Sequence, residues 1–144
     1  MSLQSVRAIY EAPVITALAA LSPTVNCYVA NQPVKNDDAA KEHALIRVNF
    51  TGTTEVTLGA SMENLRGVII VECYAIKNNG PNRAQTMITA VMTALNSLNT
   101  CNPHPSSGSY GKVGQITGPL FASLENSPHF MASVTCPFYA THLS

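Results

Sequence analysis

The stretch that decides the fold is Asn64–Ile76, "NLRGVIIVECYAI". Alternate residues of a strand face opposite ways, so Gly67, Ile69, Val71, Cys73 and Ala75 fall on one side and Val68, Ile70, Glu72, Tyr74 and Ile76 on the other. Only Glu72 interrupts the apolar run. A strand this apolar on both sides belongs near the centre of a sheet with cover on each face.

The flanking sequence supplies one of those covers. After Asn79, Gly80 and Pro81, the residues Ala84, Met87, Ile88, Val91, Leu95 and Leu98 recur at helical spacing, while Arg83, Gln85, Thr89, Thr93 and Asn96 occupy the opposite side. A second amphipathic helix opens the chain behind Ser2 as N-cap, with Leu3, Val6, Tyr10, Val14, Ala17 and Leu21 on its stripe; Pro13 is expected to kink or divide it. The short run Val25–Val29 reads as an edge strand. "HALIRVNF", His43–Phe50, is a fuller strand with Ala44, Ile46, Val48 and Phe50 on one side. Thr51–Ala60, rich in Thr and bracketed by Gly52 and Gly59, reads as a strand extension or protruding hairpin arm. "NPHPSSGSYG" reads as a loop, and two strands around a turn at "ENSPH" close the chain. In the last strand Phe130, Ala132, Val134, Cys136 and Phe138 share a face. The pattern predicts one α+β domain over residues 1–144, a mainly antiparallel sheet with an N-terminal helix and a second helix packed on one face. The other face then has no cover from within the chain and points to an assembly partner.

Composition supports that direction. The chain has 144 residues, 46% of them apolar and only 11% charged, with eight basic and eight acidic side chains. Ordinary soluble domains carry roughly a quarter charged residues, so much of this surface is uncharged. A net charge of zero argues against a general phosphate-backbone binder and gives little electrostatic protection against self-association. Glu11 and Pro13 inside the first apolar stretch, with no basic start before it, argue against a signal peptide. No run approaches the roughly 18 apolar residues of a membrane span.

No constellation for catalysis emerges. Cys27, Cys73, Cys101 and Cys136 are dispersed without a C-x-x-C pair, and nothing local ties any of them to His43, His104, His129 or His142. Cys73 and Cys136 sit in apolar strands, where a buried structural thiol is the simpler reading. The histidines lack metal-ligand spacing. Glu72 is expected to be satisfied by a cross-strand arginine, Arg47 or Arg66, rather than to act as an acid of shifted pKa. Gly108, Gly111, Gly114 and Gly118 do not form a phosphate loop, since no G-K-[ST] follows. Catalytic, cofactor-binding and metal residues are therefore assigned to none.

Leu45–Leu95, "LIRVNFTGTTEVTLGASMENLRGVIIVECYAIKNNGPNRAQTMITAVMTAL", resembles the tail terminator or tail completion proteins of long-tailed bacteriophages. The shared pattern is a strand, a Thr/Gly-rich connector, "RG" before an apolar strand with "YA" near its end, and a helix begun by "GP". "SVTCPFY", Ser133–Tyr139, resembles the family's final strand with its Pro-Phe pair. The resemblance implies a non-enzymatic virion protein of the tail or neck, assembled in the host cytoplasm. It implies a homohexameric ring that caps the tail tube, ends its polymerisation and joins it to the head connector proteins, with DNA only passing through the lumen, no cofactor and no membrane. A head-side neck or connector protein is the alternative within that class, and a small Cys-dependent enzyme or a ligand-binding module the alternatives outside it. The expected intersubunit or tube contact lies on the connector and its flank: Thr53, Thr54, Glu55, Val56, Leu58, Met62 and Arg66. Its threonines suit strand pairing, and its apolar members have no obvious place in the core.

Overall fold

The apolar stretch sits where its pattern requires, in the middle of a six-stranded sheet. The computed structural model describes residues 3–22, 24–29, 42–55, 62–76, 82–100, 108–123 and 129–143. Their elements are helix α1 (Leu3–Ala19), strands β1 (Asn26–Val29), β2 (His43–Glu55) and β3 (Met62–Ile76), helix α2 (Asn82–Ser97) continued by a 3-10 turn (Leu98–Thr100), and strands β4 (Gly108–Val113), β5 (Thr117–Ser123) and β6 (His129–Leu143). The sheet runs β1-β2-β3-β6-β4, with β5 also paired to β6. Only β1 is parallel to its neighbour among these pairings; the others are antiparallel. This is an α+β fold.

Facing follows the period of two. Leu65, Ile69, Val71, Cys73 and Ala75 of β3 are buried, as are Ala44, Ile46 and Val48 of β2 and Ala132, Val134, Cys136, Phe138 and Ala140 of β6. Register places these residues beside one another, Ala44 by Cys73 and Cys73 by Ala132, Ile46 by Val71 and Val71 by Val134. Both helices lay their stripes on this face. All six residues of the expected α2 stripe are buried, with Ala94 beside them. On α1 the buried line is Val6, Tyr10, Val14 and Leu18. Leu21, assigned to the stripe, is only partly buried, because the helix has ended and Leu18 takes the inward position. Pro13 lies inside a helix that is not divided. Fully burying each Leu, Ile or Val side chain stabilises by roughly 1.5–3 kcal/mol, so the stripe on both sides of Pro13 can offset the hydrogen bond it removes.

One buried phenol fixes α1 to the β6 and β4 strands of this face. Tyr10 packs its ring against Phe138, centroids 4.6 Å apart, and its hydroxyl lies 2.9 Å from the Tyr139 carbonyl oxygen and 3.2 Å from that of Lys112. The close approach requires Gly111, where a Cβ would fall 2.5 Å from the Tyr10 hydroxyl. Tyr10→Phe is expected to cost about 1–2 kcal/mol in urea unfolding, since a buried carbonyl loses its donor while the ring packing stays.

The closing strands depart from the expected pair. Three strands are present, and β4 and β5 lie end to end along the same edge of β6: β4 pairs with Phe138–Leu143 and β5 with Phe130–Thr135. The break between them explains how Pro137 survives inside a central strand. Gly114 N–H donates to the Pro137 carbonyl at 2.8 Å, so the side on which Pro137 lacks an N–H faces the break, where no strand asks for one. The Cys136 thiol donates weakly toward the Gly114 carbonyl, 3.6 Å away. Beside the break, Asn99 treats Val113 as a strand would. Its Nδ2 donates to the Val113 carbonyl at 2.8 Å and its Oδ1 accepts from the Val113 N–H at 3.1 Å.

Candidate functional site

The face of the sheet turned away from the helices carries Leu45, Arg47 and Asn49 of β2, Val68, Ile70, Glu72 and Tyr74 of β3, and Met131, Ser133, Thr135, Pro137 and Tyr139 of β6, again by alternation and register. Its two ends differ. Toward the start of β2 and β6, His43 and His129 are buried and Ile76 is partly buried. Toward the other end, Val68, Ile70 and Pro137 are partly exposed and Tyr139 is 52% exposed. Leu120 of β5, opposite Ser133, extends this surface and is 69% exposed.

The buried end is polar and aromatic. Arg47 pairs with Glu72 through Nη2 and Oε1, so the cross-strand partner is Arg47 and not Arg66. The Tyr74 hydroxyl donates to the other Glu72 oxygen at 2.5 Å. Burial, and then the adjacent carboxylate that holds its proton, push the Tyr74 phenol up to about 12. His43 stacks on the Tyr74 ring at 4.8 Å, and His129 meets His43 edge-on at 5.1 Å. Sequence reasoning missed this grouping. Its members are far apart in the chain, and only the register of β2 and β6 on β3 brings them together.

The thiols lie on the opposite side of the sheet from these imidazoles. Cys73 pairs with Ala44 and Ala132 on the helix face, whereas His43 pairs with Tyr74. Burial pushes Cys73 up to about 12 and Cys136 to about 11, the latter against the opposing effect of its bond to the Gly114 carbonyl. Burial again, with Glu11 adding to it, raises Cys27 to about 12. A thiol held this far above neutral pH has a negligible thiolate fraction. Cys101 and His104 lie outside the described residues. Among the described residues no group of three or more His, Cys, Asp or Glu is placed to hold a metal ion.

The expected contact residues are distributed as follows. Thr53, Thr54 and Glu55 continue β2 in register with Leu65, Asn64 and Glu63, and Met62 opens β3 opposite Leu143. The connector's base, up to Glu55, is therefore a strand extension, and β6 lies along the other side of Met62–Arg66. Arg66 is exposed, opposite Gly52 on one side and Tyr139 on the other. Val56 and Leu58 lie outside the described residues.

No protein-family model and no curated protein matches the chain. Among solved structures 28 chains match, so the fold recurs. One of them is 18% identical, covers 97% of this chain and 96% of its own, and superposes with a TM-score of 0.62. That likeness is one of fold. Among the described residues no helix is long and apolar enough to cross a membrane.

Proposed function

We propose that the chain is a structural protein of the phage tail-terminator kind, which closes into a ring on the end of a tail tube, stops its growth and joins it to the head connector. The observation that carries this reading is the open half of the outer sheet face. Val68, Ile70 and Pro137, with Leu120 and Tyr139 at its margin, form an apolar surface on long strands that no helix among the described residues covers. Long paired strands hold such a surface rigid, which suits repeated contacts between copies. The uncharged composition removes the repulsion that would oppose them. The resemblance of Leu45–Leu95 and Ser133–Tyr139 to tail terminators supplies the kind of assembly, and the α+β order agrees with it.

Electron microscopy of the purified protein, alone and mixed with tail tubes, tests the proposal. Sixfold rings seated on tube ends, with tubes that no longer lengthen, are expected. Rings that ignore tubes and bind portal complexes would move the assignment to a head-side connector, and a protein that joins neither would end it. The surface itself is tested by the double variant Leu120→Glu, Tyr139→Glu. Both side chains are exposed, so each change should alter the stability of the isolated chain by within about 0.5 kcal/mol. Tube capping should weaken by about tenfold or more, the equivalent of about 1.4 kcal/mol per ring contact. Unchanged capping would remove this face from the interface.

A further inference from the structure

Glu11 lies on the inward side of α1, one residue from Tyr10 and three from Val14, and is only 8% exposed. Its Oε1 accepts from Arg7 Nε at 3.1 Å, one turn back along the same helix. Its Oε2 is buried and has no hydrogen-bond partner among the described residues. Arg7 is itself 40% exposed in its side chain, so the pair straddles the helix margin with the carboxylate on the dry side. Among the described residues, the other ionisable groups on the elements packed against α1 offer no second cation. Cys27 of β1 lies close enough to Glu11 for the carboxylate to resist ionisation of the thiol, and Cys27 in turn acts on Cys73. Lys112 of β4 donates to the Asn99 carbonyl, Arg83 of α2 is paired with Glu42, and the Tyr10 hydroxyl reaches backbone carbonyls. A carboxylate with one bare buried oxygen carries the full desolvation cost of that oxygen, whereas a carboxylic acid there does not carry a charge to desolvate.

We propose that Glu11 is a proton-operated latch on helix α1: seated when the carboxyl is neutral, and loosened from β1 when it ionises. Burial raises the Glu11 pKa, and Arg7 only partly opposes it. The folded chain therefore holds this proton more tightly than the unfolded chain does. The stability it contributes is fully present below the pKa of an unfolded glutamate and is lost as pH rises through the folded value. Gln at this position keeps the shape and the Arg7 contact as an acceptor, and cannot ionise.

The test has two arms on the full chain. The Glu11 carboxyl is followed by carbon NMR across pH in the unmodified protein, and is expected to titrate above the exposed glutamates. Thermal midpoints of the unmodified protein and of Glu11→Gln are then compared between about pH 5 and about pH 8. The gap is expected to widen in favour of Gln as pH rises, and hydrogen-exchange protection of the α1 amides, corrected for intrinsic rate, should fall relative to α2 in the unmodified protein alone. A carboxyl that titrates with the exposed glutamates, or two stability curves that run parallel, would overturn the proposal, and the first arm decides it even if the variant does not fold.

Discussion

Gly67→Ala is expected to cost about 3 kcal/mol or more, the upper end of what overpacking a well-filled core does. A Cβ at position 67 would fall on the carbonyl oxygen of Asn49 and 2.5 Å from Cε1 of Phe138. The first obstacle is backbone, in the strand paired with β3 at this point, so relief requires β2 and β3 to move apart. Against a total stability of about 5–15 kcal/mol for a typical domain, that loss should appear as a large fall in the urea midpoint. A change below about 1 kcal/mol would mean that the strands separate more easily than their register implies.

Phe138→Ala is expected to cost about 3–5 kcal/mol, as for other buried Phe truncations. Phe138 is fully buried, packed at 4.6 Å against the Tyr10 ring and at 5.6 Å, edge to face, against Phe50. Removing it takes away the layer on which α1 rests. The two substitutions should not be additive. In a Phe138→Ala background the added Cβ at 67 meets space where the ring was, yet still meets the Asn49 carbonyl, so Gly67→Ala should cost less there but not nothing. A coupling of about 0.5–3 kcal/mol by double-mutant cycle is the expected result, and strict additivity would contradict the contact.

The elements that could be read from the sequence are those whose periodicity is long enough to declare a face. The thirteen residues from Asn64 to Ile76 are long and apolar enough to declare a central strand, and their burial alternates without a break. The α2 stripe is legible for the same reason. β1 spans four residues, too short to show that it would run parallel to β2. The division of one edge into β4 and β5 depends on where Pro137 falls against Gly114, and alternation within one strand says nothing about register between two. The same gap hid the His43, Tyr74 and His129 grouping. Glu72 was readable as a salt-bridge member because its isolation on an apolar strand demands a partner, but the choice of Arg47 over Arg66 needed the pairing. Glu11 was visible only as a charge inside an apolar stretch; that one of its oxygens is stranded follows from packing that no single helix displays.

The amide of Asn99 also decides how the margin of the sheet ages. By supplying both a donor and an acceptor to Val113, it finishes the outer side of β4 at that point and denies it to any incoming strand. The seal rests on a group that water can hydrolyse. Conversion of the amide to a carboxylate replaces the Nδ2 donor with an oxygen that faces the Val113 carbonyl, acceptor against acceptor. The lesion would leave the core untouched and fall on the edge alone, turning a closed margin into a place where another chain can pair.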